Sequence, residues 1–293
     1  MDKLAIGMAR NNNVRIYATT TTALVEEARV RHDMWPTATA ALGRVMSVAL
    51  MMASMQKGKD EKLTIQINGD GMLKTILATA QNDGSVRGYV GDPHVMLSYN
   101  DTNKLAVGTA IGNGYLRVIK DMNLKNEFVG TVDLQTGEIG EDFAFYFTVS
   151  EQTPSAVSVG VLVDTDNSVL ASGGLIIQLM PGASEEDILA TEQVLANLKP
   201  ISEIVQQGKT ASEIIEDLFE DAQVLLEKEV FFKCDCSKDR MLNGLRTLEN
   251  DEIKAMIDDG ETIETVCNFC NEKYEFSLED LQGLLDDKIN QNR

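Results

Sequence analysis

The chain has 293 residues, of which 43% are hydrophobic, and these values fit a soluble protein of about two domains with a sizeable core. Its formal net charge is −20, and residues 181–293 hold 27 Asp and Glu against 11 Lys and Arg. Nucleic-acid binding depends on cationic contacts to phosphates, so we expect no nucleic-acid partner. A solvated acidic surface that aids solubility explains most of this charge.

Neither a signal peptide nor a membrane span is predicted. The opening residues MDKLAIGMARNNN lack the apolar stretch and the small-residue cleavage site of a signal peptide, so we expect a cytoplasmic protein. The longest apolar-rich stretch, Ala38–Met55, is interrupted by Arg44. A membrane span needs about 20 predominantly apolar residues, so we interpret this stretch as a core helix and expect no membrane partner.

Residues 1–183 carry the mixed strand and helix signals of an α+β domain. A strand is predicted over Val14–Ala18, and an amphipathic helix over Thr22–His32. Pro36 then precedes a helix, predicted over Thr37–Gln56, that is apolar on almost every face. A helix with no polar stripe must be covered on all sides, so we expect it at the centre of the core.

Short apolar runs separated by turn residues predict several strands after this helix. Residues 143–150 are ambiguous, because Phe143 and Phe147 would share a helical face and the preceding acidic pair suits a helix N-terminus. The predicted strands are Leu63–Ile67, Leu73–Ala78, Val86–Val90, Leu116–Ile119, Phe128–Leu134, Ser158–Val163 and Leu175–Leu179.

From residue 184 to residue 230 the pattern is helical. Ser184 stands three residues before Asp187, and Thr210 three before Glu213, and both pairs are typical of helix-capping arrangements. The second helix carries an apolar stripe that continues to Leu225. Isolated amphipathic helices are marginal, so we expect these stripes to rest on the first domain.

The chain is therefore divided into three parts. Residues 1–183 are predicted to form the core domain, and residues 184–230 a helical linker. Residues 231–293 are predicted to form a small C-terminal domain.

All four cysteines lie in this last part, as Cys234-x-Cys236 and Cys267-x-x-Cys270. Two close pairs of thiols are typical of a tetrahedral zinc site, because each pair can supply two thiolates from one turn. Stable disulfides are rare inside cells, so metal or redox chemistry is the better interpretation. We predict one Zn²⁺ site with these four ligands, either purely structural or able to switch.

The chemistry of such a site allows a switch. Zinc keeps cysteines as thiolates at neutral pH, and the thiolate is the form that oxidants attack. Oxidation of either pair would remove ligands and release the metal. Residues 231–289 are acidic with few apolar residues, and small domains of this kind usually need their metal to stay folded.

No catalytic constellation is evident in the sequence. His32 and His94 are the two histidines, and we interpret both as surface or loop residues rather than as ligands. Glu138, Glu141 and Asp142 cluster, but nothing pairs them into an acid–base site. We therefore predict that the protein is not an enzyme.

Several segments, spread in order over nearly the whole chain, match one known family. They are Arg87–Val90 with Pro93, Gly137–Ile139 with Glu141-Asp142, Tyr146-Phe147, Ser150–Gln152, Pro154–Val157, Gly173-Gly174, Pro181–Ala183, Cys234-x-Cys236-Ser237 and Cys267-x-x-Cys270. Through these segments the chain resembles the heat-shock protein 33 family of redox-regulated bacterial chaperones.

The resemblance implies a core of β-sheets enclosing a buried helix, a helical linker and a C-terminal zinc redox switch. In the family, the reduced, zinc-bound form is inactive. Oxidation joins each close pair, which here implies disulfides Cys234–Cys236 and Cys267–Cys270, and releases the zinc. The linker then loosens, and the exposed apolar surface holds unfolding client proteins without ATP. The resemblance also implies a homodimer in the active form.

The alternative hypothesis is a zinc-ribbon module that binds a nucleic acid or a regulatory partner. The C-x-x-C motif alone would support it, whereas the acidic surface argues against it.

Overall fold

The computed structural model describes residues 1–58, 60–99 and 104–291 of the chain. The fold divides into two compact units, residues 1–233 and residues 234–293. Strands dominate the first unit, and helices dominate the second.

The strands of the first unit are β1 (Lys3–Ala9), β2 (Val14–Thr20), β3 (Lys62–Gly69), β4 (Thr75–Gln81), β5 (Ser85–Val90), β6 (Gly114–Asp121), β7 (Phe128–Asp133), β8 (Ser155–Val163), β9 (Val169–Leu179), β10 (Gln223–Glu229) and β11 (Phe231–Phe232). Its helices are α1 (Thr22–His32), α2 (Pro36–Ala53), α3 (Val107–Ile111), α4 (Gly140–Val149), α5 (Glu185–Asn197), α6 (Ile201–Gln206) and α7 (Ala211–Glu216).

These strands form two sheets. A five-stranded sheet has the order β10-β1-β2-β9-β8, and a six-stranded sheet has the order β11-β5-β4-β3-β6-β7. In β3 the residues Leu63, Ile65 and Ile67 are buried and alternate with more exposed neighbours, so this strand presents one face to the core.

Helix α2 packs against strands of both sheets. All 18 of its residues are buried. By length and composition alone it could cross a membrane, yet it lies wholly inside the first unit. The prediction of a core helix is confirmed, and so is the predicted α+β fold in which sheets enclose that helix.

The loop before α4 folds around the carboxylate of Asp142, which is fully buried. One oxygen, Oδ1, accepts three backbone N–H groups, and the other, Oδ2, accepts a fourth. The donors are Gln135 at 2.7 Å, Thr136 at 3.0 Å, Gly137 at 3.2 Å and Ile139 at 2.9 Å. These bonds hold Ile139 at a φ of 73°, a conformation that β-branched residues rarely adopt.

This loop also neutralises the one charged residue of α2. The Nη1 group of Arg44 donates to Oε2 of Glu138 at 2.9 Å. Burial alone would raise the pKa of Glu138, but the Arg44 guanidinium outweighs that effect and the pKa lies below its usual value. The carboxylates that cluster in the sequence at Glu138 and Asp142 therefore fasten a loop to the core helix.

The helical prediction for residues 184–216 is confirmed. Ser184 Oγ accepts the N–H of Asp187 at 3.2 Å, and Thr210 Oγ1 accepts the N–H of Glu213 at 3.3 Å, so both predicted caps are present. Helices α6 and α7 bury their apolar sides on the outer face of the five-stranded sheet. The buried residues there are Ala5, Ala9, Val14, Ile16, Ala18, Ala171, Leu175 and Ile177 from the sheet, and Ile201, Val205, Ala211, Ile214, Ile215 and Phe219 from the helical segment.

The helical prediction is wrong over the last part of this segment. Residues Gln223–Glu229 form β10, which pairs with β1 in an antiparallel arrangement. Leu225 is 63% exposed and does not continue the stripe of α7. Pairing with a distant strand decides the conformation here, and local periodicity does not report it. The functional boundaries at residues 183 and 230 stay a prediction.

The sequence interpretation also missed some elements and left one segment open. Strand β1 was not predicted, because α7 covers one of its faces and its residues are buried on both sides without regular alternation. The five-residue helix α3 is too short to give a periodic signal. The ambiguous stretch is helical: residues 143–149 belong to α4, which begins at the acidic turn, and Ser150 is its C-cap.

We expect Asp142→Asn to lower the free energy of unfolding of the first unit by about 3 kcal/mol, because buried N–H groups lose a charged acceptor. Urea unfolding followed by the fluorescence of Trp35, the one tryptophan of the chain, measures this. The neighbouring exposed Glu141→Gln serves as the control and should change stability by no more than about 0.5 kcal/mol. Equal effects of the two substitutions would contradict this role of Asp142.

Asp187 should make the anchoring of α5 depend on pH. Hydrogen bonds from the backbone N–H and hydroxyl of Ser184, with Arg10 beside them, lower the pKa of Asp187 from 3.8 to about 2. The carboxylate therefore stabilises α5 fully above pH 3.8, and this stabilisation is lost as the pH falls through about 2. Amide exchange of α5, followed by NMR on acidification, should show that loss.

The matched pair for this test is Asp187→Asn and Glu185→Gln. Asp187→Asn should weaken α5 at neutral pH and remove the acid-dependent loss, since no carboxylate remains to titrate. Glu185 is exposed in the same turn, so Glu185→Gln should change neither the stability of α5 at neutral pH nor its loss on acidification. Retention of the acid response in Asp187→Asn would show that another group causes it.

Candidate metal centre

The second unit is small and has little apolar core. Its elements are α8 (Lys238–Leu245), α9 (Asn250–Asp259), β12 (Ile263–Val266), β13 (Lys273–Phe276) and α10 (Leu278–Gln291). Strands β12 and β13 form an antiparallel hairpin. One core cluster contains just three buried residues, Ile253, Leu284 and Leu285.

Cys267 and Cys270 lie in the loop of this hairpin. The carbonyl oxygen of Cys267 accepts the N–H of Cys270 at 3.3 Å and the N–H of Asn271 at 2.8 Å, and these bonds curl the loop into a tight turn. The turn ends at Asn271, whose φ is 60°, a left-handed conformation that Asn tolerates well. The N–H of Cys267 donates to the carbonyl of Glu272 at 2.9 Å and closes the loop.

Cys234 and Cys236 lie in the irregular segment between β11 and α8. Ser237 caps α8, because its hydroxyl accepts the N–H of Arg240 at 3.2 Å. The Arg240 side chain reaches back and donates to the carbonyl of Asp235 at 2.9 Å. The helix start therefore fixes the backbone between the two cysteines.

The structure brings the four predicted cysteines together. Their sulfur atoms all lie within 4.8 Å of one another. Two of the distances across the motifs are 3.7 Å, between Cys234 and Cys267, and 3.3 Å, between Cys236 and Cys270. No disulfide joins these four residues, all of which lie in the described part of the chain.

This spacing fits one metal ion. A tetrahedral zinc ion with Zn–S bonds of about 2.3 Å places its sulfur ligands about 3.8 Å apart. Cys267 and Cys270 are buried, and Cys234 and Cys236 are partly exposed, so one side of the cluster faces solvent. Four thiolates are a soft donor set, and such a set binds zinc in preference to calcium or magnesium.

The thiols differ in their electrostatic surroundings. Burial raises the pKa of Cys234 and of Cys270. Burial also acts on Cys236, but hydrogen bonds from Tyr274 and the neighbouring thiols outweigh it, and the pKa of Cys236 lies below its usual value. The Tyr274 hydroxyl donates to the sulfur of Cys236 at 3.1 Å. Four such close thiols need a cation to ionise together, because neighbouring thiolates repel one another.

Tyr274 is the residue of this site that the sequence did not reveal. It lies four positions after Cys270 on β13, but the sulfur that it contacts belongs to Cys236, 38 positions away. Nothing local in the sequence marks an aromatic residue on a hairpin strand as a neighbour of a distant thiol.

The two histidines lie in the first unit, away from the cysteine motifs in the chain. His94 is exposed, with Nε2 3.1 Å from Oδ2 of Asp33 and its ring 5.5 Å from that of Trp35. His32 is the last residue of α1 and is partly exposed. Neither belongs to a group of side chains placed to hold a metal among the residues that the structure describes.

Fold and site together define a class of two-unit proteins, in which a helix enclosed by sheets is followed by a four-thiol cluster able to hold a metal. A model of the family described as "Hsp33 protein" matches residues 2–277. The chain is 47% identical over 288 residues to the 33 kDa chaperonin of Bacillus subtilis (strain 168), covering 98% of this chain and 99% of that protein. It is 48% identical over 286 residues to the 33 kDa chaperonin of Desulforamulus reducens, covering 97% of each.

A solved structure agrees with these relatives. The crystal structure of the 33 kDa chaperonin (heat shock protein 33 homolog) from Thermotoga maritima matches with a TM-score of 0.91 at 36% identity, covering 98% of this chain and 99% of that one. The chain therefore belongs to the Hsp33 family of chaperones. The resemblance predicted from its sequence is confirmed.

We expect the double substitution Cys267→Ser and Cys270→Ser to abolish metal binding and to unfold the second unit, because two of the four donors are lost. Zinc per chain, measured by atomic emission, should fall from about one to about zero. Amide exchange of α9 and α10 should become fast.

Asn268→Ser is the matched control, since Asn268 is exposed in the same loop and is no sulfur donor. It should keep both the metal and the slow exchange. Full zinc content in the double variant would rule out these cysteines as ligands.

Proposed function

We propose that this chain is a redox-regulated, ATP-independent holdase chaperone of the cytoplasm. In the reduced state it would be inactive, with one Zn²⁺ held by Cys234, Cys236, Cys267 and Cys270. Oxidative stress would activate it through the disulfides Cys234–Cys236 and Cys267–Cys270. The active form would be a homodimer that holds unfolding client proteins, with no enzymatic activity and no nucleic-acid or membrane partner. The four sulfurs gathered within 4.8 Å carry this proposal.

The redox step needs only the thiolates and a peroxide. When bound, zinc would hold the four sulfurs as thiolates at neutral pH. Each pair of thiolates gives two electrons to hydrogen peroxide; an S–S bond forms, the O–O bond breaks, and two protons convert the peroxide to two water molecules. Each disulfide withdraws two donors from the cluster, so a metal ion loses its site.

The proposed pairing within each motif is the one that the resemblance to the family implies. In the reduced arrangement the sulfurs also lie close across the motifs, at 3.3 Å for Cys236 and Cys270. Peptide mapping of the oxidised protein therefore distinguishes the two pairings. The proposed one gives a disulfide within each motif, and a peptide cross-linked between the motifs would contradict it.

Loss of the donors would unfold the second unit because its own core is small. A unit of about 60 residues buries too little apolar area to be firmly stable without a metal or a disulfide framework. It also carries 15 Asp and Glu against 7 Lys and Arg, and this like charge repels itself in the folded state. The thiol cluster is therefore the strongest constraint on its fold.

A large apolar surface lies covered by α6 and α7, and clients could bind it once it is exposed. The outer face of the five-stranded sheet beneath these helices carries aliphatic side chains, including Ile16 and Ile177, which are at most 2% exposed. If α6 and α7 lift, this face and the apolar sides of the helices become exposed together. Contiguous exposed apolar surface is what binds unfolding chains.

The experiment is light scattering from a thermally unfolding client, with the protein either reduced and zinc-loaded or oxidised by hydrogen peroxide with mild heating. We expect suppression of aggregation by the oxidised form alone, together with the release of about one zinc per chain to a chromogenic chelator. Reduction with dithiothreitol and added zinc should reverse both.

Three results would contradict the proposal in different ways. Equal suppression by both forms would make the metal purely structural. Suppression by neither would remove the holdase function. Zinc that stays bound in full under peroxide would rule out the thiol switch. Asn268→Ser, tested in parallel, should behave as the unsubstituted protein does.

A further inference from the structure

Residues 228–233, here called the strap, run from the edge of one sheet to the edge of the other within the first unit. The strap begins at the end of β10, which pairs with β1 in the five-stranded sheet. It continues through β11, which pairs in parallel with β5 in the six-stranded sheet. Its last residue, Lys233, immediately precedes Cys234 in the chain. The strap is therefore the covalent path from the first cysteine to both sheets.

Residues 228 and 229 of the strap pair with β1, and backbone hydrogen bonds to Asp2, Gly84 and Val86 fasten residues 230–233. The N–H of Phe231 donates to the carbonyl of Gly84 at 3.0 Å, and that of Lys233 donates to the carbonyl of Val86 at 3.0 Å. The N–H of Val230 donates to the carbonyl of Asp2 at 3.1 Å. A two-residue parallel pairing is marginal by itself, so side chains must supply the rest of the stability.

Lys228 supplies the main side-chain attachment. Its ammonium donates to the carbonyl oxygen of Asn82 at 2.6 Å and to Oδ1 of the same residue at 2.8 Å. Asn82 Nδ2 in turn donates to the carbonyl of Gln56, three residues past the end of α2, at 2.9 Å. Lys228 is partly buried, and this burial lowers its pKa. The strap is thus tied through two side chains to the end of the core helix.

Gly84 provides the seat on which the strap lies. Its φ is +92°, and a Cβ atom there would come within 2.2 Å of the carbonyl oxygen of Glu229. Only glycine combines this conformation with so close an approach. Phe232 is 9% exposed and lies under the guanidinium of Arg31, whose Cζ is 5.2 Å from the ring centroid.

Strand β10 links the strap to the helices that cover the sheet. Glu227 on β10 forms an ion pair with Lys3 of β1 and accepts a hydrogen bond from the hydroxyl of Ser212 in α7. Detachment of the strap would remove the restraint on the end of β10. Because Glu227 connects β10 to α7, α7 would lose restraint as well. The path from Cys234 to the covered apolar face therefore runs through Lys228 and Glu227.

We propose that the strap is a clasp, fastened by Lys228 on Asn82 and seated on Gly84, whose release precedes the loosening of α6 and α7. This inference rests on the proposed holdase function and adds to it a regulatory step that lies outside the cysteine cluster. It assigns Lys228 and Gly84 as positioning residues for the inactive state.

Two substitutions test the clasp from opposite sides while leaving all four cysteines intact. Lys228→Met keeps the aliphatic stem and removes the ammonium, and Gly84→Ala places a methyl group against Glu229. In the reduced, zinc-loaded, full-length protein we expect amide exchange of the strap and of β10 to become at least about tenfold faster in both. Zinc content and the exchange of α2 should stay unchanged, and both variants should suppress client aggregation without oxidant.

Matched controls separate the clasp from general effects of the substitutions. Lys199→Met replaces an exposed lysine of the predicted linker that lies outside the strap. Gly182→Ala alters a glycine with a φ of +97° that has no atom within 4 Å of its added Cβ. Both controls should keep slow exchange in the strap and stay inactive when reduced.

Amide exchange and client holding test the clasp and the holdase function separately. Unchanged exchange of the strap and of β10 in Lys228→Met and Gly84→Ala overturns the clasp. The clasp is also overturned if strap exchange becomes faster but the reduced variants hold no clients, while the oxidised unsubstituted protein does hold them. If that oxidised protein holds none, the holdase function fails, and exchange of the strap before and after peroxide decides whether the clasp opens.

Discussion

A helix with no polar face must be covered on every side, and α2 imposes this requirement on the first unit. Two sheets meet it by packing against the helix from different directions, and small residues allow the close approach. A Cβ atom at Gly43 would lie 2.8 Å from both Val25 and Val161, so the sheet and α1 reach the helix backbone there. This arrangement leaves the charge of Arg44 largely buried, with its side chain 10% exposed, so the charge must be paired inside the protein. Glu138 pairs it, and Asp142 holds the loop that carries Glu138.

The second unit is built on the opposite basis. Where the first unit is stabilised by apolar contacts around a helix, this one gathers four sulfurs between two short chain segments. Its apolar side chains pack α9 against α10, while the cysteine segments depend on a tight turn and a capped helix. Stability that rests on metal ligands can be withdrawn chemically, whereas stability that rests on buried apolar area cannot. Under the proposed function, the two units would therefore differ in what can unfold them.

Local signals were sufficient for the features that depend on sequence neighbours. A few neighbouring residues are enough to recognise the cysteine motifs, the caps at Ser184 and Thr210, and the apolar run of α2. Features that depend on distant partners were not visible. Strand β10 has the composition of an exposed amphipathic segment, and only pairing with β1 makes it a strand. Tyr274 and the strap belong to this second group, because each is defined by contacts between residues that are far apart in the chain.

The five-stranded sheet takes its strands from two separate parts of the chain. Four of them lie before residue 180, and the fifth, β10, lies about 40 residues later. A fragment ending at residue 183 would therefore leave β1 with a bare edge, a row of unpaired N–H and C=O groups that templates pairing with another strand. The same edge could accept β10 from a second molecule, which is the geometry of domain swapping. Any shortened form of this protein is thus expected to be prone to edge-to-edge association unless it retains residues 223–229.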